Sequence, residues 1–420
     1  MRRSFLFLQG PHGPFFYLLG KQLRHAGHEV RRVGFNGADR AFWPDGGSYH
    51  AYRAPLPDWP ASIESLLDEG VTDLVLYGDT REVHITAMHA ARSRGLRVHV
   101  FEEGYLRPYW VTYERDGANG HSPLASMSLD EIRAKLPKEV AEPRSAPAHW
   151  GDLRQHIFYG ALYHGLVMAT RRSYPAYRSH RDRGVGAEFR LYLRRLMLMP
   201  AAALRRRIST ARIRAGGYPY HVALLQLAHD SSALAHSPFR TPAEFVESVV
   251  GGFAQGAPRH HHLVFKAHPL EDGRAGIART IIETARRHAV SDRVHYLLGG
   301  KLGPLLDEAS SAVTVSSTSA HQALWRGLPV KAFGEAVFCK PGITSQAPIA
   351  AFFAQPDPPD PAAYADLRAF MLRSSQLRGS YYSRGGRRQL LRIICDRMFA
   401  DEAPYEMSNA TPATQLTLVR

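Results

Sequence analysis

The chain alternates short apolar runs with amphipathic stretches of helical length. Phe5 to Leu8 is apolar throughout and reads as a buried strand. Phe15 to His25 follows with Phe15, Leu18, Leu19 and Leu23 at helical spacing, Gly27 stops it, and Val30 to Phe35 opens the next strand. The rhythm repeats at residues 73–79, at a helix near Val83 to Ser93 closed by Gly95, and at Arg97 to Phe101. It restarts at Val222 to Leu227. A helix opened by Thr241-Pro242-Ala243-Glu244 comes next, where a hydroxyl cap precedes a proline in the first turn. Then come a strand from His262 that exits at His268-Pro269, a helix from Ile277 to His288, a strand at Arg293 to Leu297 and the apolar run Ala312 to Val315. Strand–helix–strand units of this size build parallel sheets with helices on both faces. The predicted class is α/β, with two Rossmann-like domains at 1–150 and 218–400, a helical segment at 151–217 between them and a disordered tail at 401–420.

The length of 420 residues calls for two domains, and a hydrophobic fraction of 45% fills their cores. Cys339 and Cys395 offer neither a disulfide framework nor a metal-ligand spacing, which fits a reducing compartment. The apolar start is too short for a signal peptide and is stopped by Gln9-Gly10-Pro11. No apolar run reaches the roughly 18 residues a membrane span needs. Charge changes the picture more. Lys+Arg of 53 against Asp+Glu of 38 leaves +15, which asks for an anionic partner. The excess concentrates between Leu153 and Arg214, where Arg171, Arg172, Arg178, Arg181, Arg183, Arg190 and more lie among Phe189, Leu191, Leu193 and Leu196. A basic amphipathic segment of this kind docks on an anionic membrane surface. No zinc finger, RNP-like word or other nucleic-acid module is present, so a nucleic-acid partner is not expected.

Ligands of parallel sheets bind at the carboxyl ends of the strands, so the residues there are the candidates. Gln9 and Gly10 follow the first strand, in a loop whose glycines permit sharp turning or close approach to a ligand. Glu102-Glu103-Gly104 ends the strand from Arg97. Its carboxylates can act as a base or hold a sugar hydroxyl, and Arg107 can pair with an acidic ligand group. A solvated turn with a local ion pair would carry the same residues. His229, Asp230 and Ser231 follow the strand from Val222. Lys266, His268 and Pro269 close the strand from His262, where a histidine can donate to a phosphate or protonate a leaving group. Ser316 and Ser317 stand between a strand and a helix, where hydroxyls, free N–H groups and the helix dipole suit an anion; an ordinary N-cap would look alike. His260-His261-His262 alternate faces and cannot share one ion, and no Asp-x-Asp pair ends a strand, so no metal is called for.

Taken in order, Glu102-Glu103-Gly104, His268-Pro269 and Ser316-Ser317 resemble the acidic-Gly, HP and SS/ST motifs of bacterial sialyltransferases, which use CMP-activated acidic sugars. The longer words resemble the capsule polysaccharide biosynthesis/export family of KpsS/KpsC type, over about residues 4 to 345. They are Gln9-Gly10-Pro11, Glu102 through Pro108, Asn119-Gly120-His121-Ser122 and Gln226 through Ser231. The resemblance implies a GT-B-like enzyme, its two domains facing each other across a cleft, with the donor on the C-terminal domain and the acceptor mainly on the N-terminal one. It implies a retaining β-Kdo transferase that uses CMP-β-Kdo and a phosphatidylglycerol-type lipid acceptor, with no further cofactor, at the cytoplasmic face of the inner membrane beside other capsule proteins. His268, Pro269, Lys266, Ser316 and Ser317 would then hold CMP. Gln9, Gly10, Glu102, Arg107 and Ser231 would meet the substrates, and Asp230 and Glu103 would carry the chemistry. Retention invites a carboxylate nucleophile. Asp230 is the first choice for it and Glu103 for the acid/base or acceptor-binding group, with the reverse assignment open. The rivals are a non-catalytic export or assembly factor and a transferase of another CMP- or UDP-sugar. His229 before Asp230 departs from the pattern, and nothing beyond about residue 345 matches it.

Overall fold

The computed structural model describes residues 2–137, 153–177, 190, 201, 204, 207–227, 234–268, 271 and 276–406. They form two compact units. Unit 1 holds Met1–Leu124, Glu131–Ala187 and Ala369–Arg420; unit 2 holds Ala125–Asp130 and Glu188–Arg368.

Unit 1 is built on strands β1 (Ser4–Phe7), β2 (Glu29–Gly34), β3 (Tyr49–Ala51), β4 (Asp73–Tyr77), β5 (Arg97–Glu103) and β6 (Trp110–Arg115). Its helices are α1 (Phe15–His25), α2 (Gly37–Ala41), α3 (Trp59–Asp68) and α4 (Glu82–Ser93); the short α5 (Pro123–Ser126) and α6 (Leu129–Ala134) follow, then α7 (Leu153–Ala169). The strands β3-β2-β1-β4-β5 are parallel, and β6 pairs antiparallel with β5. Alternation along β1 explains why both faces are covered. Leu6 and Leu8 join a core with Trp59, Ile63 and Leu76, while Phe5 and Phe7 join one with Phe15, Phe16 and Phe101.

Unit 2 carries β7 (Tyr220–Leu224), β8 (His262–Lys266), β9 (Val294–Leu297), β10 (Ser311–Thr314) and β11 (Val330–Ala332), all parallel in the order β11-β10-β7-β8-β9. Its core sets Ala223, Phe265 and Val313 against Phe245, Val249 and Phe253 of the helix Pro242–Gly256. That helix begins as expected: Thr241 Oγ1 accepts the Glu244 N–H at 3.3 Å. Numbered from its own first strand, unit 2 has the order 3-2-1-4-5, the same as the parallel part of unit 1. Both units therefore reverse direction beside their first strand, at the switch point where such sheets bind ligands.

Two expectations change. The second domain does not run to residue 400: β12 (Gln376–Arg378) pairs antiparallel with β6, and the helix Arg384–Phe399 supplies Leu390 and Ile394 to the unit 1 core. The tail is ordered through its first residues, since Tyr405 is buried in unit 1; 407–420 lie outside the described residues. The segment 151–217, expected as a basic amphipathic helical segment, is described only in part. Its first part is α7, which has no Asp, Glu, Lys or Arg between Arg154 and Arg171, and Arg214 pairs with Glu308 in unit 2. Arg178, Arg181 and Arg183 lie outside the described residues.

Candidate functional site

In unit 1 the carboxyl end of β5 holds Glu102 and Glu103, which stand opposite Thr112 and Val111 of β6. Gly104 follows because a Cβ there would overlap the Trp110 carbonyl where the two strands meet. Glu103 is the best-furnished carboxylate of this edge. Its Oε1 accepts the hydroxyls of Tyr77, at the end of β4, at 2.8 Å and of Tyr382, before the last helix, at 2.9 Å. His156 of α7 stacks on the Tyr382 ring, centroids 4.3 Å apart. Burial pushes the Glu103 carboxyl up, but the charges of Arg107 and His156 and the two phenols outweigh it, and its pKa ends below the ordinary value. Glu103 is an anion at neutral pH. Glu102 accepts the Glu103 N–H at 2.9 Å, and the Tyr381 hydroxyl donates to its carbonyl at 2.8 Å. Arg107 Nε donates to the Gly104 carbonyl at 3.1 Å. Tyr77, His156, Tyr381 and Tyr382 were not foreseen. Tyr77 alone carried a usable signal, as the last residue of a strand before a glycine.

Gln9 belongs to a neighbouring buried network. Its Nε2 donates to Asp39 at 3.2 Å and its Oε1 accepts from Arg81 at 3.3 Å, so the amide is engaged at both ends. Asp39 also accepts the Phe35 N–H at 3.0 Å and the Tyr163 hydroxyl at 3.2 Å. Asn36 caps α2 and donates to Tyr163 at 2.7 Å, which ties α7 to the end of β2. Gly10 also has a packing reason, because a Cβ would run into the Phe16 ring.

In unit 2 the register sets the ends of three strands level: Leu224 of β7 faces Thr314 of β10 on one side and Lys266 of β8 on the other. Ser316 and Ser317 follow β10, and His268 follows β8 by two residues. Gln226 clasps Ser316, accepting its N–H at 3.0 Å and donating to its hydroxyl at 3.3 Å. The Ser317 N–H goes to Thr314 Oγ1 at 3.2 Å, and Ser317 Oγ accepts the Ser319 N–H at 3.2 Å. The amides of Ser316, Ser317 and Ser319 are therefore engaged locally, and the helix that follows, Ala320–Leu324, is too short for a strong dipole. Hydroxyls and the nearby Lys266 and His268 are what this edge offers an anion. Lys266 is buried, with its Nζ 3.3 Å from the Ala267 carbonyl. Asp230, Ser231 and Pro269 lie outside the described residues.

A family model described as capsule polysaccharide biosynthesis protein matches residues 72–382. The chain belongs to that family. The capsule polysaccharide modification protein LipB of Neisseria meningitidis serogroup A is 31% identical over 394 residues, covering 90% of this chain and 92% of LipB. The capsule polysaccharide export protein KpsS of Escherichia coli is 28% identical over 384 residues, covering 90% of this chain and 97% of KpsS. Among solved structures, the β-Kdo 2,7 transferase KpsC of Thermosulfurimonas dismutans overlays with a TM-score of 0.44 at 13% identity, over 90% of this chain and 93% of that one. The family resemblance read from the motifs is thus met by the whole-chain comparison. No helix among the described residues is long and apolar enough to cross a membrane.

Proposed function

We propose that this capsule biosynthesis protein is a retaining glycosyltransferase that moves Kdo from CMP-β-Kdo onto a phosphatidylglycerol-type lipid and so starts the capsule linker. The observation that carries the reading is Glu103, an anionic carboxylate at a strand's carboxyl end, braced by two phenols. Retention takes two displacements. A carboxylate attacks the anomeric carbon and CMP leaves with the bonding pair; an acceptor hydroxyl then gives its proton to a base and displaces the carboxylate. An anionic Glu103 suits the base of the second step, which leaves the nucleophile to Asp230. Lys266, His268, Ser316 and Ser317 would neutralise and orient the CMP phosphate in unit 2. A lipid acceptor places the protein peripherally at the cytoplasmic face of the inner membrane.

The test is transfer of Kdo from CMP-Kdo generated in situ onto a fluorescent phosphatidylglycerol analogue, read by mass. A product heavier by one Kdo is expected, and Asp230→Ala should abolish it while leaving the circular dichroism unchanged. CMP binding without product would move the search to other sugars and acceptors. Loss of both would favour the export or assembly role that the name of KpsS suggests.

A further inference from the structure

Helix α7 is apolar on both of its long faces, and unit 1 uses one of them. Tyr163 and Val167 are buried against Ala38, with Phe42, Leu166 and Tyr177 around them. The approach to α2 is close: a Cβ on Gly37 would overlap the Thr170 side chain. At 3.6 residues per turn the opposite face carries Ile157, Phe158, Ala161 and Leu162. Ile157 is 55% exposed, Phe158 60% and Leu162 39%. A helix apolar all round is ordinarily enclosed, and a contiguous exposed apolar face marks a contact surface. The ends of this face are basic, with exposed Arg154 before it and exposed Arg171 and Arg172 after it, and no acid lies between.

We propose that this face of α7 lies in the headgroup–acyl boundary of an anionic bilayer, with Arg154, Arg171 and Arg172 on the lipid phosphates. The pattern of an apolar strip ended by arginines on a helix without acids matches a helix lying in the plane of an interface. The charge of the chain, +15, has the sign the surface requires. A second copy of the chain is a poorer occupant, because a symmetric pairing would bring arginines against arginines. The helix also leads inward. His156, one residue before Ile157, stacks on Tyr382, whose hydroxyl holds Glu103. The bilayer contact would therefore lie next to the carboxylate edge, where a membrane lipid can be presented to it. That last step rests on the transferase reading; the docking does not.

The experiment uses the full chain and vesicles of phosphatidylcholine with or without phosphatidylglycerol. The triple variant Ile157→Ser, Phe158→Ser, Leu162→Ser should fold as the parent does and lose at least about tenfold in partitioning onto phosphatidylglycerol vesicles. Phe158→Trp should show fluorescence quenched by brominated acyl chains beyond that of the parent. Equal partitioning of parent and triple variant, or a bound Phe158→Trp protein without added quenching, overturns the proposal. So does a parent dimer that the triple variant dissolves in sedimentation equilibrium, which would assign the face to a second copy. Transfer onto vesicle lipid should fall in the triple variant while transfer onto a water-dispersed short-chain analogue persists. No product from the parent with either acceptor would refute the transferase reading and leave the partitioning result standing.

Discussion

Removing the Tyr382 hydroxyl tests whether Glu103 is held as an anion. Tyr382→Phe deletes one of the two phenols on Oε1, at 2.9 Å, and leaves the ring in place. The stack on His156 at 4.3 Å and the edge contact with Tyr381 at 6.2 Å remain. A hydrogen bond to a charged group contributes about 1.5–3 kcal/mol, against about 0.5–1.5 for one between neutral groups. The variant should therefore lose about 1.5–3 kcal/mol at neutral pH. The sign of the pH dependence follows from the lowered pKa of Glu103. A carboxyl that the fold favours as an anion contributes fully above the titration of the unfolded chain, near 4.5, and loses that contribution as pH falls through the lower folded value. The difference between parent and variant should shrink on the same course, to about 0.5–1.5 kcal/mol once Glu103 is protonated. Urea unfolding at neutral and acidic pH measures it, with Trp43 and Trp59, both buried in unit 1, as the reporters. The acid limb of any transfer activity should move to higher pH as well, because the carboxylate takes up its proton earlier. A stability difference that is the same at both pH values would refute the anion argument.

Unit 2 should be the acid-sensitive half. Burial holds His221 down to about 3, His295 to about 4 and His321 to about 3, so all three stay neutral in the fold. The unfolded chain takes up those protons near 6.5, so stability should be complete above that pH and fall steadily toward about 4. Hydrogen exchange in β7 and β8 would follow the loss, and His295→Gln should flatten it; an unchanged slope would count against burial as its cause. Gly37→Ala should push α7 off α2 through Thr170 and cost about 1–3 kcal/mol. Faster exchange confined to α7 and recovery by Thr170→Gly, which removes the whole overlapping side chain, would support that, and an unaltered α7 would not.

Most of both sheets could be read from local pattern because the parallel strands are buried on both faces. β1, β4, β7, β8 and β10 are nearly unbroken apolar runs, which parallel sheets require, and the helices between them carry ordinary stops and caps. What escaped was non-local. β12 is three residues, Gln376–Arg378, and its strand character comes from β6, far away in sequence. The return of the chain to unit 1 beyond Ala369 has no compositional mark, so the C-terminal boundary was misplaced. The site divides in the same way. Glu103 could be found from its place at a strand end, but the two phenols on its Oε1 come from 26 and 279 residues away. Tyr381 and Tyr382 lie in the polar, glycine-bounded run Gly379 to Gly385, which by itself reads as a loop.

A 151–217 segment that is basic and amphipathic as a whole leaves room for what α7 adds. Arginines counted across Leu153 to Arg214 made the whole segment look amphipathic and basic, while the helix itself has charge only at its ends. Averaging hid a sharper feature. A basic amphipathic helix would bind an anionic surface through charge and would detach as salt is raised. A helix with an apolar outer face and terminal arginines should keep most of its hold at high salt, since burial of Ile157, Phe158 and Leu162 is not screened. The salt dependence of vesicle binding therefore separates the two descriptions. A steep fall to nothing would return the arginines to the leading role, and a shallow decline that the serine variant abolishes would leave the apolar face as the anchor.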